Sequence, residues 1–151
     1  MGLESSAVRG VKTWYGEQDL SQSEDLSVRT AGTVKEGAVT VTADYAAVSF
    51  TLPAGAIIVD SFVEVVEAFV LGGTTPTIAV GTSGSAPTNS IVDVAEADAE
   101  AIGTYVGVPA GTMAAPLAAD TTIVVELGGT SPTITSVGKM VVHFRYSIDN
   151  R

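Results

Sequence analysis

The sequence predicts an all-β fold: an antiparallel β-sandwich over residues 35–151, with an extended N-terminal arm over residues 1–34 and one short helix in a long loop. Three observations predict it. Apolar and polar residues alternate with a period of two in several segments, the pattern of strands buried on one face. Gly and Pro clusters punctuate those segments where turns are needed. The chain is 151 residues long and 46% hydrophobic, which is core material for one domain and rules out a disordered polymer. At this length roughly 70% of the unfolded chain's surface is buried on folding, so no disulfide or structural metal is required.

The arm comes first. Residues 1–34 are polar and mixed in charge, without sustained periodicity, and carry one aromatic pair, Trp14 and Tyr15. Two readings stand side by side: a disordered tail, or an anchor in which Arg9 and Lys12 flank the rings for a partner's pocket. From Gly37 the signal is strand. Val39, Val41 and Ala43 alternate with Thr40 and Thr42, and Val48, Phe50 and Leu52 alternate with Ser49 and Thr51, before the turn residues Pro53-Ala54-Gly55. The long apolar run Ile57–Leu71 places Asp60 and Glu64 on one parity and Glu67 on the other. One regular strand cannot put all three acids in water, so the pattern predicts a β-bulge near Val65 and Val66.

Leu71-Gly72-Gly73-Thr74-Thr75-Pro76-Thr77-Ile78 returns 56 residues later as Leu127-Gly128-Gly129-Thr130-Ser131-Pro132-Thr133-Ile134, with Thr75 against Ser131 as the single difference. Each copy follows an apolar strand, and Gly with Pro suits a reversal, so the repeat predicts two equivalent hairpin tips that are neighbours at one end of the sandwich. A phosphate cradle would need a Lys and a following helix, which both copies lack. Between the copies, residues 81–121 are too long for a plain turn and read as an excursion or functional loop. Within it, Val92–Ile102 has the Ala and Glu content of one short helix, with Asp93 in its first turn. Two closing strands follow: Ile123, Val125 and Leu127 alternate in the first, and Met140, Val142, Phe144 and Tyr146 in the second.

Composition narrows the chemistry. With no Cys and a single His, His143, the chain lacks the ligands for zinc sites, the thiol for Cys nucleophiles and the pairing for His relays. Glu96, Asp98 and Glu100 lack calcium-loop spacing, and on a helix residues two apart point to different sides, so they read as a solvated face. Pairs among Asp60, Glu64 and Glu67 match the roughly 5–10 Å needs of a glycosidase only in type. Nine aromatic residues, most at core positions, do not line a sugar cleft. His143 lies beside Lys139 and Arg145 on the outer face of a strand, where it reads as a solvated residue rather than a triad member. No catalytic, cofactor or metal residue is assigned.

Charge is informative in its distribution. The net charge is −10, from 17 acidic and 7 basic residues, which opposes binding to nucleic acid. Residues 36–138 hold eleven acids and no Lys or Arg, so every cation belongs to the chain ends. An acidic surface also keeps a protein soluble, and that reading remains open. The first 20 residues lack the apolar run of about 7–15 that a secretory signal requires. No stretch reaches the roughly 18 apolar residues of a membrane span. Met1-Gly2-Leu3-Glu4-Ser5-Ser6 matches the loose myristoylation pattern, without a polybasic partner for stable anchoring.

The run Phe50–Phe69 (FTLPAGAIIVDSFVEVVEAF), with Thr75–Thr82 (TPTIAVGT), Pro116–Gly129 (PLAADTTIVVELGG) and Met140–Ser147 (MVVHFRYS), resembles the small decoration or cement proteins of tailed-bacteriophage heads. The resemblance covers about residues 37–147. It implies a jelly-roll-like sandwich, a homotrimer, and a place in the virion on the outer capsid shell, bracing the major capsid protein after head expansion. It implies no catalytic residue, and the composition, charge and apolar runs above give no cofactor, no nucleic acid and no membrane as further expectations. Within that reading the arm supplies the capsid-binding residues Arg9, Lys12, Trp14 and Tyr15, with Arg29 as a further contact. The alternative is a glycan-binding adhesive module of a phage tail fibre or spike, for which residues 81–121 offer a single aromatic, Tyr105.

Overall fold

The computed structural model describes residues 18–19, 34–135 and 137–148. Among these residues nine strands form two sheets: β1 (Gln18–Asp19), β2 (Val34–Thr42), β3 (Ser49–Leu52), β4 (Ala56–Glu67), β5 (Leu71–Thr82), β6 (Ser90–Ala95), β7 (Gly103–Gly107), β8 (Thr121–Ile134) and β9 (Lys139–Ile148). One sheet has the order β1-β2-β9-β4-β7 and the other β3-β8-β5-β6. The antiparallel pairs β2 with β9, β3 with β8, β4 with β7 and β5 with β6 are those of one long hairpin folded over. Successive pairs alternate between the sheets, which is jelly-roll wiring. Only β1 runs parallel to its neighbour, β2.

The alternation read from the sequence becomes the core. Val39 and Val41 of β2, Val63 and Val65 of β4, and Met140, Val142, Phe144 and Tyr146 of β9 are buried, as are Leu52, Ile78, Val80, Ile123 and Val125 from the other sheet. The Phe144 ring stacks on Phe50 across the two sheets at 5.7 Å. The alternation of β4 is reset at Val66, because Val65 pairs with Met140 while Glu67 pairs with Lys139. This is the bulge the three acids require. A second irregularity, between Ile58 and Asp60, has no counterpart in the sequence reading. It moves the buried parity from Ala56 and Ile58 to Ser61, Val63 and Val65.

The repeat is placed differently from the expectation. The two copies are neighbours, but they are not hairpin tips: they lie within β5 and β8 and pair with each other. Leu71 lies opposite Ile134, Gly72 opposite Thr133, Thr77 opposite Gly128 and Ile78 opposite Leu127, so the first residue of each copy meets the last of the other. A local two-fold axis therefore passes between them. Each copy distorts at its middle, where the register shifts, and Thr75 and Ser131 both adopt a left-handed φ of 49°. Pro76 falls in the gap of the ladder between Thr74 and Thr77, where a missing N–H is harmless. Near-identity of sequence follows from near-identity of environment. A Cβ on Gly72 would sit 2.7 Å from Thr133 Oγ1, and one on Gly128 would sit 2.4 Å from Thr77 Oγ1.

Residues 81–121 are likewise corrected from a single long loop to two strands, β6 and β7, with a helical turn between them. The helix α1 spans only Glu96–Ala99, and Val92–Ala95, expected within it, belongs to β6. Asp93 is therefore a strand residue opposite Ala79. The edge of β5 offers a row of backbone partners, and burial of Val92 and Val94 on one side of Asp93 overrides the helical preference of the composition.

The connections gather at two ends. At one end Gly55 N–H donates to Leu117 O at 2.7 Å, Ala54 N–H to Asp120 Oδ1 at 2.8 Å and Thr112 N–H to Asn89 Oδ1 at 2.9 Å. At the other, Phe69 N–H donates to Ala99 O at 3.0 Å, Thr135 N–H to Val70 O at 3.1 Å and Leu71 N–H to Glu100 Oε1 at 2.8 Å.

Candidate functional site

The residues expected to make the functional contact, Arg9, Lys12, Trp14, Tyr15 and Arg29, lie outside the described residues. The described part of that segment is β1, in which Gln18 lies opposite Gly37 and Asp19 opposite Ala38. Gln18 and Asp19 thus lie at the edge of the five-stranded sheet, in register with β2.

Immediately inward from that edge lies a groove of 340 Å³ on the outer face of the same sheet, lined by Glu36, Gly37, Ala38, Asp60, Phe62, His143, Phe144 and Arg145. Sheet order creates it: β2, β9 and β4 are adjacent, and register sets Asp60 opposite Arg145 and Phe62 opposite His143. Arg145 Nε donates to Asp60 Oδ1 at 2.9 Å and to Oδ2 at 3.0 Å, and its Nη2 also donates to Oδ2. The guanidinium's hydrogen bonds hold the Asp60 carboxyl below the usual carboxylate range, and the carboxylate in turn raises Arg145. The His143 and Phe62 rings stack at 4.5 Å and 9°, and His143 Nε2 lies 3.9 Å from Glu64 Oε2.

The groove holds charges and rings that are paired across neighbouring strands. A carboxylate already bonded to Arg145 and held in its ionised form is a weak proton acceptor near neutral pH. Asp60 and Glu64 each face a cross-strand partner, Arg145 and His143, rather than a shared reacting centre. Glu100, read with Glu96 and Asp98 as a solvated face, instead accepts the Leu71 N–H. Among the described residues no three His, Asp or Glu side chains come together as a metal site.

The sequence reading had His143 as a solvated residue. The structure places it on the outer face as expected, but half-buried beneath Phe62. The signal was present as an outward aromatic in each of two strands, yet pairing them requires the β4–β9 register. That register depends on the irregularity between Ile58 and Asp60.

The other outer face is partly covered by the chain itself. Glu126 accepts the Gly84 N–H through Oε1 and the Ala86 N–H through Oε2, the latter at 3.0 Å, which fastens the β5–β6 connection onto the four-stranded sheet. Gly81 and Gly128 lie beneath that connection, against Asn89 and Pro87 respectively.

No family model matches the chain, and no curated protein matches it. Among solved structures, it is similar to a chain in the capsid of Ralstonia phage GP4, with 19% identity and a TM-score of 0.53, over 89% of this chain and 98% of that one. It is also similar to a chain in the acidic stable capsid structure of Helicobacter pylori bacteriophage KHP30, with 16% identity and a TM-score of 0.50, over 80% of this chain and 90% of that one. At these identities the likeness is one of fold.

Proposed function

We propose that this chain is a non-enzymatic decoration protein of a tailed-phage head, which binds the outside of the major capsid protein lattice as a homotrimer and braces the mature shell. The observation that carries the reading is that, over 80% and 89% of its length, the chain is similar in fold to chains in two phage capsids, 90% and 98% of which it covers. The physical properties agree. Two sheets packed on one core, with connections hydrogen-bonded to one another at each end, make a stiff body, as a brace must be. A trimer on a symmetric lattice multiplies modest contacts into avidity far above that of a single site.

In this reading the N-terminal residues 1–34 are the capsid-binding element and residues 35–151 the sandwich. Arg9, Lys12 and Arg29 supply cations that the body lacks between residues 36 and 138, and Trp14 and Tyr15 supply anchoring rings. The test is co-sedimentation of the full chain with expanded, undecorated heads. The wild-type chain should pellet with heads, and a variant carrying Arg9→Glu, Lys12→Glu, Trp14→Ala and Tyr15→Ala should stay in the supernatant. A wild-type chain that ignores heads sinks the decoration reading, whereas full binding by the variant sinks only the role of the arm.

A further inference from the structure

The register of the five-stranded sheet aligns side chains in rows across its outer face. Ala38, His143 and Phe62 lie opposite one another on β2, β9 and β4, and Asp19 of β1 lies opposite Ala38 at the edge. Glu36, Arg145 and Asp60 form the row on one side of these, and Thr40, Val141 and Glu64 the row on the other. The middle row lines the groove, and Phe62 is the one exposed aromatic ring among the described residues. Arg145 is bound by both carboxylate oxygens of Asp60, so three carboxylates flank the row against a single guanidinium. A ring between acids fits an occupant made of rings and cations.

Two stretches of this chain adjoin that edge: residues 1–17 before β1, and residues 20–33 between β1 and β2. The second has no aromatic residue, and Glu24, Asp25 and Arg29 give it an excess of acid. The first holds Trp14 and Tyr15, with Arg9 and Lys12 as its cations. Its reach matches the groove. Tyr15 and Trp14 precede Gln18 by three and four residues, which an extended chain spans in about 10 and 14 Å. Strands in a sheet are about 4.8 Å apart, so β9 and β4 lie about 10 and 14 Å from β1. The exposed valines of β7 are one strand further, about 19 Å from β1, beyond that span of backbone. Direction agrees as well: β1 runs parallel to β2 with Gln18 opposite Gly37, so the chain before it heads toward the Glu36 row, which lines the groove.

We propose that Trp14 and Tyr15 of the same chain seat their rings in this groove, on Phe62 and His143, with Arg9 and Lys12 over its acidic flanks. Gly16, between the rings and the strand, stands where the backbone must turn from the sheet edge onto its face. The inference goes beyond the proposed function and concerns the free chain: the body holds the rings, and a shell that binds them competes with the groove. Its test uses no phage heads, so its failure and that of shell binding are separately visible.

Trp14 is the single Trp and His143 the single His, so each reports through its own signal. In the full chain Trp14 fluorescence should be blue-shifted, and less open to acrylamide quenching, than in a synthetic peptide of residues 1–17, at every protein concentration. Phe62→Ala removes the ring beneath and should lower the docked-to-free ratio by roughly two- to tenfold, read as increased quenching. Ala38→Lys sets a cation in the groove and should release Trp14 in the same way. Thr51→Glu, at an exposed position of the other sheet, should leave the protection unchanged. Circular dichroism checks that each variant is folded. Trp14→Ala alters no described residue and should move the His143 ring-proton resonances as the neighbouring ring current is lost. The proposal is overturned by a Trp14 as open to quencher in the full chain as in the peptide, or by protection that both folded groove variants leave intact. Equal loss in Thr51→Glu, or His143 resonances unmoved by Trp14→Ala, would overturn it too. So would protection that grows with protein concentration, which would put the ring on another copy.

Discussion

Replacing Gly73 or Gly129 by Ala tests the local two-fold at its centre. Gly73 has φ +114° and Gly129 φ +101°, a region where an L residue is strained by roughly 1–3 kcal/mol. The added methyl also has no room. At Gly73 it would lie 2.7 Å from Ser131 O and 2.8 Å from Thr130 O, and at Gly129 it would lie 2.6 Å from Thr75 O and 2.8 Å from Thr74 O. Those neighbours are backbone atoms, so relief requires the paired strand to shift, a further cost of about 1–3 kcal/mol. Each substitution should therefore destabilise by roughly 2–6 kcal/mol, and the two values should nearly match. For a chain of this length that lowers the melting temperature by roughly 5–20 °C. Circular dichroism melts with denaturant titrations measure it, with an unchanged m-value marking an unchanged unfolding reaction. The double variant should cost less than the sum, since one strand shift relieves both clashes. Gly84→Ala is the control, with φ +79° but nothing within 4 Å, and should show the strain contribution alone. A loss below about 1 kcal/mol at either site, or a large loss at only one, would refute the two-fold reasoning.

Three further outcomes follow from the outer faces. Glu126→Ala removes the acceptor of two backbone N–H groups and should cost about 1–3 kcal/mol. Hydrogen exchange should then rise in residues 83–89 while the β9 core amides keep their protection relative to global stability. Phe62→Ala should cost under about 1.5 kcal/mol, because the ring is 42% exposed, and should shift the His143 ring-proton resonances as the stack is lost. Arg145→Gln removes the partner that lowers Asp60. A carboxyl whose folded pKa is depressed contributes stability above its unfolded value and loses it as pH falls through the folded value. The melting-temperature gap between wild type and Arg145→Gln should therefore be present at pH 6 and close below about pH 4. A gap that widens on acidification would contradict that linkage.

Much of the architecture was legible along the chain because period-two burial is a local signal. The alternations in β2, β8 and β9 need no knowledge of their partners, and three carboxylates between Asp60 and Glu67 were enough to call for the bulge at Val66. The groove was not legible in the same way. Phe62 and His143 are 81 positions apart, and their contact follows from β4 lying beside β9 with a slipped register. The helix was overestimated because Ala and Glu content reports local preference, whereas Val92 and Val94 lie in a strand paired to β5 and bury their side chains in the core.

The repeat separates the two kinds of information most clearly. By itself the sequence determined that two segments share an environment, that their glycines permit left-handed backbone, that the core is one of alternating strands, and that all the cations sit at the chain ends. Tertiary structure alone decided that the two segments are each other's environment, which neighbours line the outer groove, and that β7 stands at the edge of its sheet among the described residues. The physical reason is that burial and backbone preference act on each residue where it stands, while strand order and register are set by which distant segments close the core together.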